Sequence, residues 1–239
     1  MIIDSHVTIE SDASLSRLLE SMESNTIDFS VISPGKREFA FDNSQGNQRM
    51  AKYCKQHSNL RHWAVVTPWS FKSGSIQVEQ ALSEGAIGLI FDSSVQGFSL
   101  LDGEIRALLD SIKTEKIPLY FHTGTPVLAL PLQLAFLAEK YPELIFIMGR
   151  SGRTDFRTDA VPALNLAKNI LADTSHDYPD TGLLGLYGTV GSSRMIFTSD
   201  YPLETQKFGV SAINRMPIGD SAKAEILGLN ASEIMKVNS

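Results

Sequence analysis

Eight short apolar runs recur along this chain, each parted from the next by a stretch with helical spacing, and that alternation limits the folds open to it. The runs are Met1 to Thr8, Asp28 to Ser33, His62 to Thr67, Ala86 to Phe91, Ile117 to His122, Leu144 to Met148, Asn169 to Asp173 and Met195 to Ser199. Each is short, rich in β-branched or aromatic residues, and bounded by turn formers, as strands are. Between them Leu15, Leu18, Leu19 and Met22 fall on one helical face, with Asp12 placed to cap it. Met50, Tyr53 and Cys54 mark a second helix, Val78 and Leu82 a third, and Ile105, Leu108, Leu109 and Ile112 a fourth. Leu134, Leu137, Ala138 and Tyr141 mark the fifth, and Val161 to Lys168 and Leu183 to Tyr187 read as helical. After the eighth strand, two small helices are expected to start near Asp220 and Asn230.

Strands that alternate with helices build a parallel sheet. Eight such units in 239 residues match the size of an α/β fold of the (β/α)8 TIM-barrel type, about 250 residues, and predict a single domain over 1–239. A doubly wound open sheet is the runner-up, but no glycine-rich nucleotide loop follows the first strand. Hydrophobic residues make up 43% and charged residues 20%, which suits a globular core. The net charge of −6 without a basic run argues against nucleic acid as a partner. Cys54 is the only cysteine, so neither an intrachain disulfide nor a cysteine zinc cluster can form, and a reducing compartment fits. The chain opens on a strand rather than a basic, apolar leader, and no apolar run reaches the roughly 18 residues of a span. A cytoplasmic protein acting on a small molecule, away from membranes, is the expectation.

Barrels of this kind place their chemistry at the C-terminal ends of the strands. There the first, fifth and eighth strands bring His6, His122 and Asp200. Strict alternation along the first strand predicts that Asp4, His6 and Thr8 share one face. Two imidazoles and a carboxylate suit Zn²⁺, Mn²⁺ or Fe²⁺ and leave a position for water or substrate. The plainer reading is two hydrogen-bonded interior histidines and a loop-capping aspartate; three such groups at matching strand ends favour a shared site. Lys36 and Arg37 follow the second strand at the rim, as solvated charges or as substrate-binding groups. His176 follows the seventh strand as a further candidate for proton transfer. Arg153 and Arg157 are surface charges or part of an anion pocket. His57 and His62 are expected away from the site, Cys54 as an inert core residue, and Asp4 as a partly buried group that orients a neighbour.

At this point the motifs become recognisable. Asp4-Ser-His-Val-Thr8, Phe121-His-Thr-Gly124, Phe197-Thr-Ser-Asp-Tyr-Pro202 and Ile226-Leu-Gly-Leu-Asn-Ala231 occur in the order, and near the strands, of the amidohydrolase-related family. The chain resembles, from end to end, those barrel hydrolases and decarboxylases, which include aminocarboxymuconate-semialdehyde decarboxylase. The resemblance implies that His6, His122 and Asp200 bind one divalent metal, zinc first and manganese second, and that dimers are common. Two positions depart from the pattern. Thr8 replaces the second histidine of the opening motif, and Arg150 replaces the strand-six histidine that helps activate metal-bound water. An arginine cannot serve as a base near neutral pH. Arg150 can instead hold a substrate carboxylate, and it opposes cation binding.

Three functions follow as expectations. The first is a metal-dependent hydrolase or decarboxylase of a small carboxylated substrate, with Asp200, Arg150 and His176 in the chemistry and Arg150, Lys36 and Arg37 binding substrate. The second is a metal-free, pyrone-dicarboxylate lactonase-like hydrolase in which Asp200 is the base and Arg150 the carboxylate anchor. The third is a barrel that binds a ligand without turning it over.

Overall fold

In the computed structural model, which describes residues 1–69, 71–177 and 179–236, the apolar runs become eight parallel strands hydrogen-bonded in chain order. They are β1 (Ile3–Ile9), β2 (Phe29–Pro34), β3 (Leu60–Val65), β4 (Gly88–Phe91), β5 (Pro118–His122), β6 (Ile145–Gly149), β7 (Ile170–Asp173) and β8 (Met195–Ile196). The last returns to the first. The Ser5 amide donates to the Phe197 carbonyl at 3.0 Å and the Thr8 amide to the Tyr201 carbonyl at 2.8 Å, and Val7 bridges Tyr201 in parallel. The sheet thereby closes into a (β/α)8 barrel, and the doubly wound alternative falls.

The helices are α1 (Asp12–Ser24), α2 (Lys36–Ala40), α3 (Asn43–Gln56), α4 (Phe71–Ser83), α5 (Ser93–Gln96), α6 (Gly103–Ile112), α7 (Pro131–Ala138), α8 (Ala160–Leu166), α9 (Leu184–Val190), α10 (Gln206–Arg215), α11 (Asp220–Ala224) and α12 (Asn230–Met235). Ser11, not Asp12, caps α1: its hydroxyl accepts the Ser14 amide in a reciprocal capping box. Asp12 instead accepts the Tyr53 hydroxyl. The helix α10, which begins at the Thr205 cap and buries Gln206, Ala212 and Ile213, is not marked in the sequence. Its buried polar Gln206 interrupts the apolar stripe that would have marked it. No helix among the described residues is long and apolar enough to cross a membrane.

Two apolar layers hold the barrel. Inside it, Ile3, Val31, Val65, Ile90, Ile147, Leu171 and Ile196 pack around Trp63 and Tyr120, and Trp63 donates its indole N–H to the Ser5 carbonyl at 2.8 Å. Each such side chain stabilises the fold by about 1.5–3 kcal/mol through its burial. Gly149 makes room for this plug, since a Cβ there would lie 2.3 Å from the Tyr120 ring. Outside, Val7, Ile9 and Ile32 pack with Leu15, Leu18 and Met22 of α1 and with Met50 and Tyr53 of α3.

Along β1 the alternation expected from sequence breaks. The register against β2 shifts between Asp4 and Val7, as a β-bulge does. Asp4 therefore turns toward Gln206 of α10, 2.8 Å away, while the His6 ring packs on Tyr120 at 4.9 Å. Asp4 and His6 do not share a face, and Asp4 is fully rather than partly buried.

His62 lies within β3 rather than at its start, and it is buried with neither ring nitrogen hydrogen-bonded. Burial pushes its pKa down to about 4. As pH falls from about 6.5 toward 4, the unfolded chain takes up a proton that the native state refuses, so stability present above that window is lost through it, by a few kcal/mol at most. His62→Leu should flatten this part of the profile. The check is the urea midpoint of both proteins at about pH 7 and about pH 5; equal pH dependence in the two would contradict the assignment.

Candidate metal centre and its arginine cavity

Three side chains meet on one carboxylate at the C-terminal mouth of the barrel, and a fourth stands close by. Asp200, four residues past β8, is buried. Its Oδ2 accepts from Arg150 Nε at 2.8 Å and lies 2.6 Å from His176 Nε2. Its Oδ1 lies 3.5 Å from Arg150 Nη2 and 3.3 Å from His6 Nδ1. The His122 ring stands edge-on to His6, with centroids 4.9 Å apart. One donor atom from each of His6, His122 and Asp200 can be chosen so that all lie within 4.8 Å of one another.

The loops that carry these groups are held in costly shapes. Arg150, Ser151, His176 and Asp200 have φ of 62°, 41°, 60° and 56°, the left-handed region that residues with a Cβ seldom enter. Specific bonds enforce it. Ser151 Oγ donates to the Asp173 carbonyl at 2.6 Å, and the Gly152 amide donates to Thr123 Oγ1 at 2.9 Å. The turn at Asp200 is fixed by Asp4, whose carboxylate accepts the Ser199 amide at 2.9 Å and the Ser199 hydroxyl at 2.6 Å. Asp4 thus orients a neighbour of Asp200 from behind. Burial raises its pKa to about 6 against these hydrogen bonds.

The electrostatics follow from burial and charge. Burial alone would raise the Asp200 pKa, but the His176 hydrogen bond, the adjacent His6 ring and the charge of Arg150 hold it well below the usual carboxylate range. For His122, burial first and then Arg150 push the pKa down to about 4. It is therefore neutral near pH 7, the form that binds a metal. Below the cluster, Tyr120 donates its hydroxyl to Asp173, which closes the floor with a neutral phenol whose pKa burial raises well above the usual value.

The donor set suits a metal. His6 Nε2 is satisfied by Ser33 Oγ at 3.0 Å, whereas His6 Nδ1 and both ring nitrogens of His122 are buried without a hydrogen bond. Buried polar atoms left unpaired are rare and ask for a partner. One nitrogen of His122, Nδ1, faces Asp92 Oδ2 at 3.3 Å, which leaves Nε2 free. Asp92 was missed in the sequence. It lies one residue past β4 and caps α5, accepting the Ser94 amide at 3.1 Å and the Val95 amide at 3.2 Å. An acid directly after a strand was the signal that could have found it. A single divalent ion fits this set of ligands.

Beside the cluster opens a cavity of about 280 Å³, lined by Arg150, Ser151, Arg153, Arg157, His176, Asp177 and Glu204. Arg157 pairs with Asp177, and His176 Nδ1 lies 3.0 Å from Glu204 Oε1. Arg153 Nη1 lies 3.3 Å from His176 Nε2. His176 and Arg150 are thus brought together with His6, His122 and Asp200. Lys36 and Arg37 are not: both are exposed on α2, with Arg37 facing Asp42 at 3.5 Å. His57 sits at the C-terminal end of α3, away from this mouth. Cys54 is partly buried with its thiol pushed up to about 12 by burial.

The comparisons show the family and the fold. A family model described as amidohydrolase matches residues 4–236. The chain belongs to the amidohydrolase family and is an enzyme of that family of metal-dependent hydrolases and decarboxylases. Among solved structures, it is similar to 2,6-dihydroxybenzoate decarboxylase from Rhizobium (14% identity, 100% of this chain and 99% of that one, TM-score 0.78). It is also similar to 5-carboxyvanillate decarboxylase from Sphingomonas paucimobilis (15%, 99% of each chain, TM-score 0.81). A third is a dihydroxybenzoic acid decarboxylase from Polaromonas, crystallised with manganese and the inhibitor 2-nitroresorcinol (16%, 100% and 97%, TM-score 0.79). At these identities the likeness is one of fold. No curated protein matches the chain.

Asp92→Asn is expected to leave the barrel folded and to weaken Mn²⁺ binding by about 10–100-fold, the usual effect of removing a group that orients a ligand histidine. Isothermal titration with MnCl₂ checks this, and an unchanged affinity would reduce Asp92 to a helix cap.

Proposed function

We propose that the protein decarboxylates a small carboxylated ring compound with the aid of one divalent metal. The observation that carries this is the adjacency of the His6, His122 and Asp200 donor set to an arginine-lined cavity. An ion of the zinc or manganese type, held by those three residues, would supply Lewis acidity toward a substrate oxygen and acidify a water in its open position. Thr8 in place of a histidine and the charge of Arg150 make that hold weaker than a full histidine set would.

The remaining roles belong to the chain's own groups. Arg150 and Arg153 face the cavity and orient the substrate carboxylate by charge and hydrogen bonding. Asp200 carries the proton that replaces the departing carboxylate on carbon as the C–C bond breaks and CO₂ leaves. His176 joins Asp200 to Glu204, so a proton can pass between the buried carboxylate and the half-exposed one. The same relay, run in the other direction, would take a proton from water in a hydrolysis. Near pH 7 Asp200 is ionised, so the proton rests on it only in passing, handed on from His176 to carbon.

A second reading rests on a separate observation: Arg150 already sits on Asp200 as a cation. In it the protein is a metal-free hydrolase, with Asp200 as base toward water and Arg150 holding an acidic substrate.

The test is CO₂ release from a panel of hydroxylated aromatic acids and ring opening of a panel of carboxylated lactones, each before and after chelation. CO₂ release lost on chelation and recovered in Mn²⁺ or Zn²⁺ supports the metal reading, and lactone hydrolysis indifferent to chelator supports the second. Asp200→Asn should lower turnover by about 10²–10⁴-fold in either case while sparing the fold. Undiminished activity in that variant would sink both.

A further inference from the structure

Resting on the metal reading above, we infer that Arg150 is a displaceable internal cation: its guanidinium and the divalent ion compete for the same oxygens of Asp200. Arg150 lies directly after β6, and its side chain spans to Asp200, with Nε at 2.8 Å from Oδ2 and Nη2 at 3.5 Å from Oδ1. The carboxylate has two oxygens. Oδ2 also meets His176, and Oδ1 also faces His6. Little of Asp200 remains for an ion while the guanidinium is in place. A guanidinium and a metal dication beside one buried carboxylate would in addition repel each other strongly in so shielded a site.

The site also gives the displaced side chain somewhere to go. Arg150 forms one wall of the neighbouring cavity, and Glu204 and Asp177 line the same space. Its left-handed backbone, fixed through Ser151 to Asp173 and through Gly152 to Thr123, keeps the base of the side chain still while the guanidinium turns. In the cavity the guanidinium can meet the anionic group of a ligand. Ion binding and presentation of Arg150 to an acidic substrate are then two faces of one rearrangement.

Two measurements test this on the full chain. In the first, Mn²⁺ affinity is compared between the wild type and Arg150→Gln, with thermal melts to confirm that both fold. The variant should bind about tenfold or more tightly, the size of a typical coupling between two sites. Equal or weaker binding in a folded variant overturns the inference and leaves the metal reading standing, whereas no binding by either protein removes both. In the second, wild-type protein labelled with ¹³C and ¹⁵N is titrated with Zn²⁺ and the Arg150 Nε–H resonance is followed, assigned through its side-chain carbons to the Arg150 backbone. Competition requires that resonance to move and its solvent exchange to quicken in step with zinc uptake. A resonance that stays put while zinc binds overturns the inference even if the variant misfolds.

Discussion

An ionised carboxylate buried at the mouth of a barrel is tolerable only if donors surround it, and Asp200 sets that requirement for everything near it. Isolated burial of such a charge is prohibitive. The chain meets the demand from several strands at once: His6 from β1, Arg150 after β6 and His176 after β7 converge on the two oxygens. Behind them Asp4 and Ser199 lock the turn that carries Asp200, and Tyr120 and Trp63 fill the barrel beneath. Removing the barrel's closure between β8 and β1 would free the Asp200 turn, because Thr8 holds Tyr201 directly. Fold and site are thus one construction.

Much of this was legible in the sequence because it depends on local periodicity. Apolar runs bounded by turn formers located all eight strands, and His6, His122 and Asp200 were recognisable as strand-end groups. What stayed hidden depends on contacts between distant segments. The bulge in β1 turns Asp4 away from His6, and no residue in that strand announces it. Asp92 looks like any helix cap until His122, thirty residues on, is seen beside it. The helix α10 was passed over because its first residue, Gln206, is polar yet buried, held there by Asp4 from the far end of the chain. Arg150 was anticipated as a carboxylate anchor; only the structure shows that a carboxylate of the protein itself already occupies it.

The strained loops and the incomplete histidine set are two expressions of one economy. A barrel leaves its strand ends free to vary, and here strain is concentrated at Arg150, Ser151, His176 and Asp200 rather than spread through the strands. Those positions aim side chains inward and toward the arginine cavity. Thr8 and Arg150 stand where the family resemblance leads one to expect imidazoles, and Asp92 and Ser33 steady the two in the donor set. The site that results is poorer in metal ligands and richer in positive charge than a four-histidine centre.

The central claim is that His6, His122 and Asp200 form one metal centre. Its most direct test is an anomalous difference map from crystals of the protein grown with MnCl₂. A single strong peak bonded to an imidazole nitrogen of each histidine and to a carboxylate oxygen of Asp200, at about 2.0–2.3 Å, is the predicted result. A map with no peak between those three side chains, from protein whose Arg150 still rests on Asp200, would contradict it.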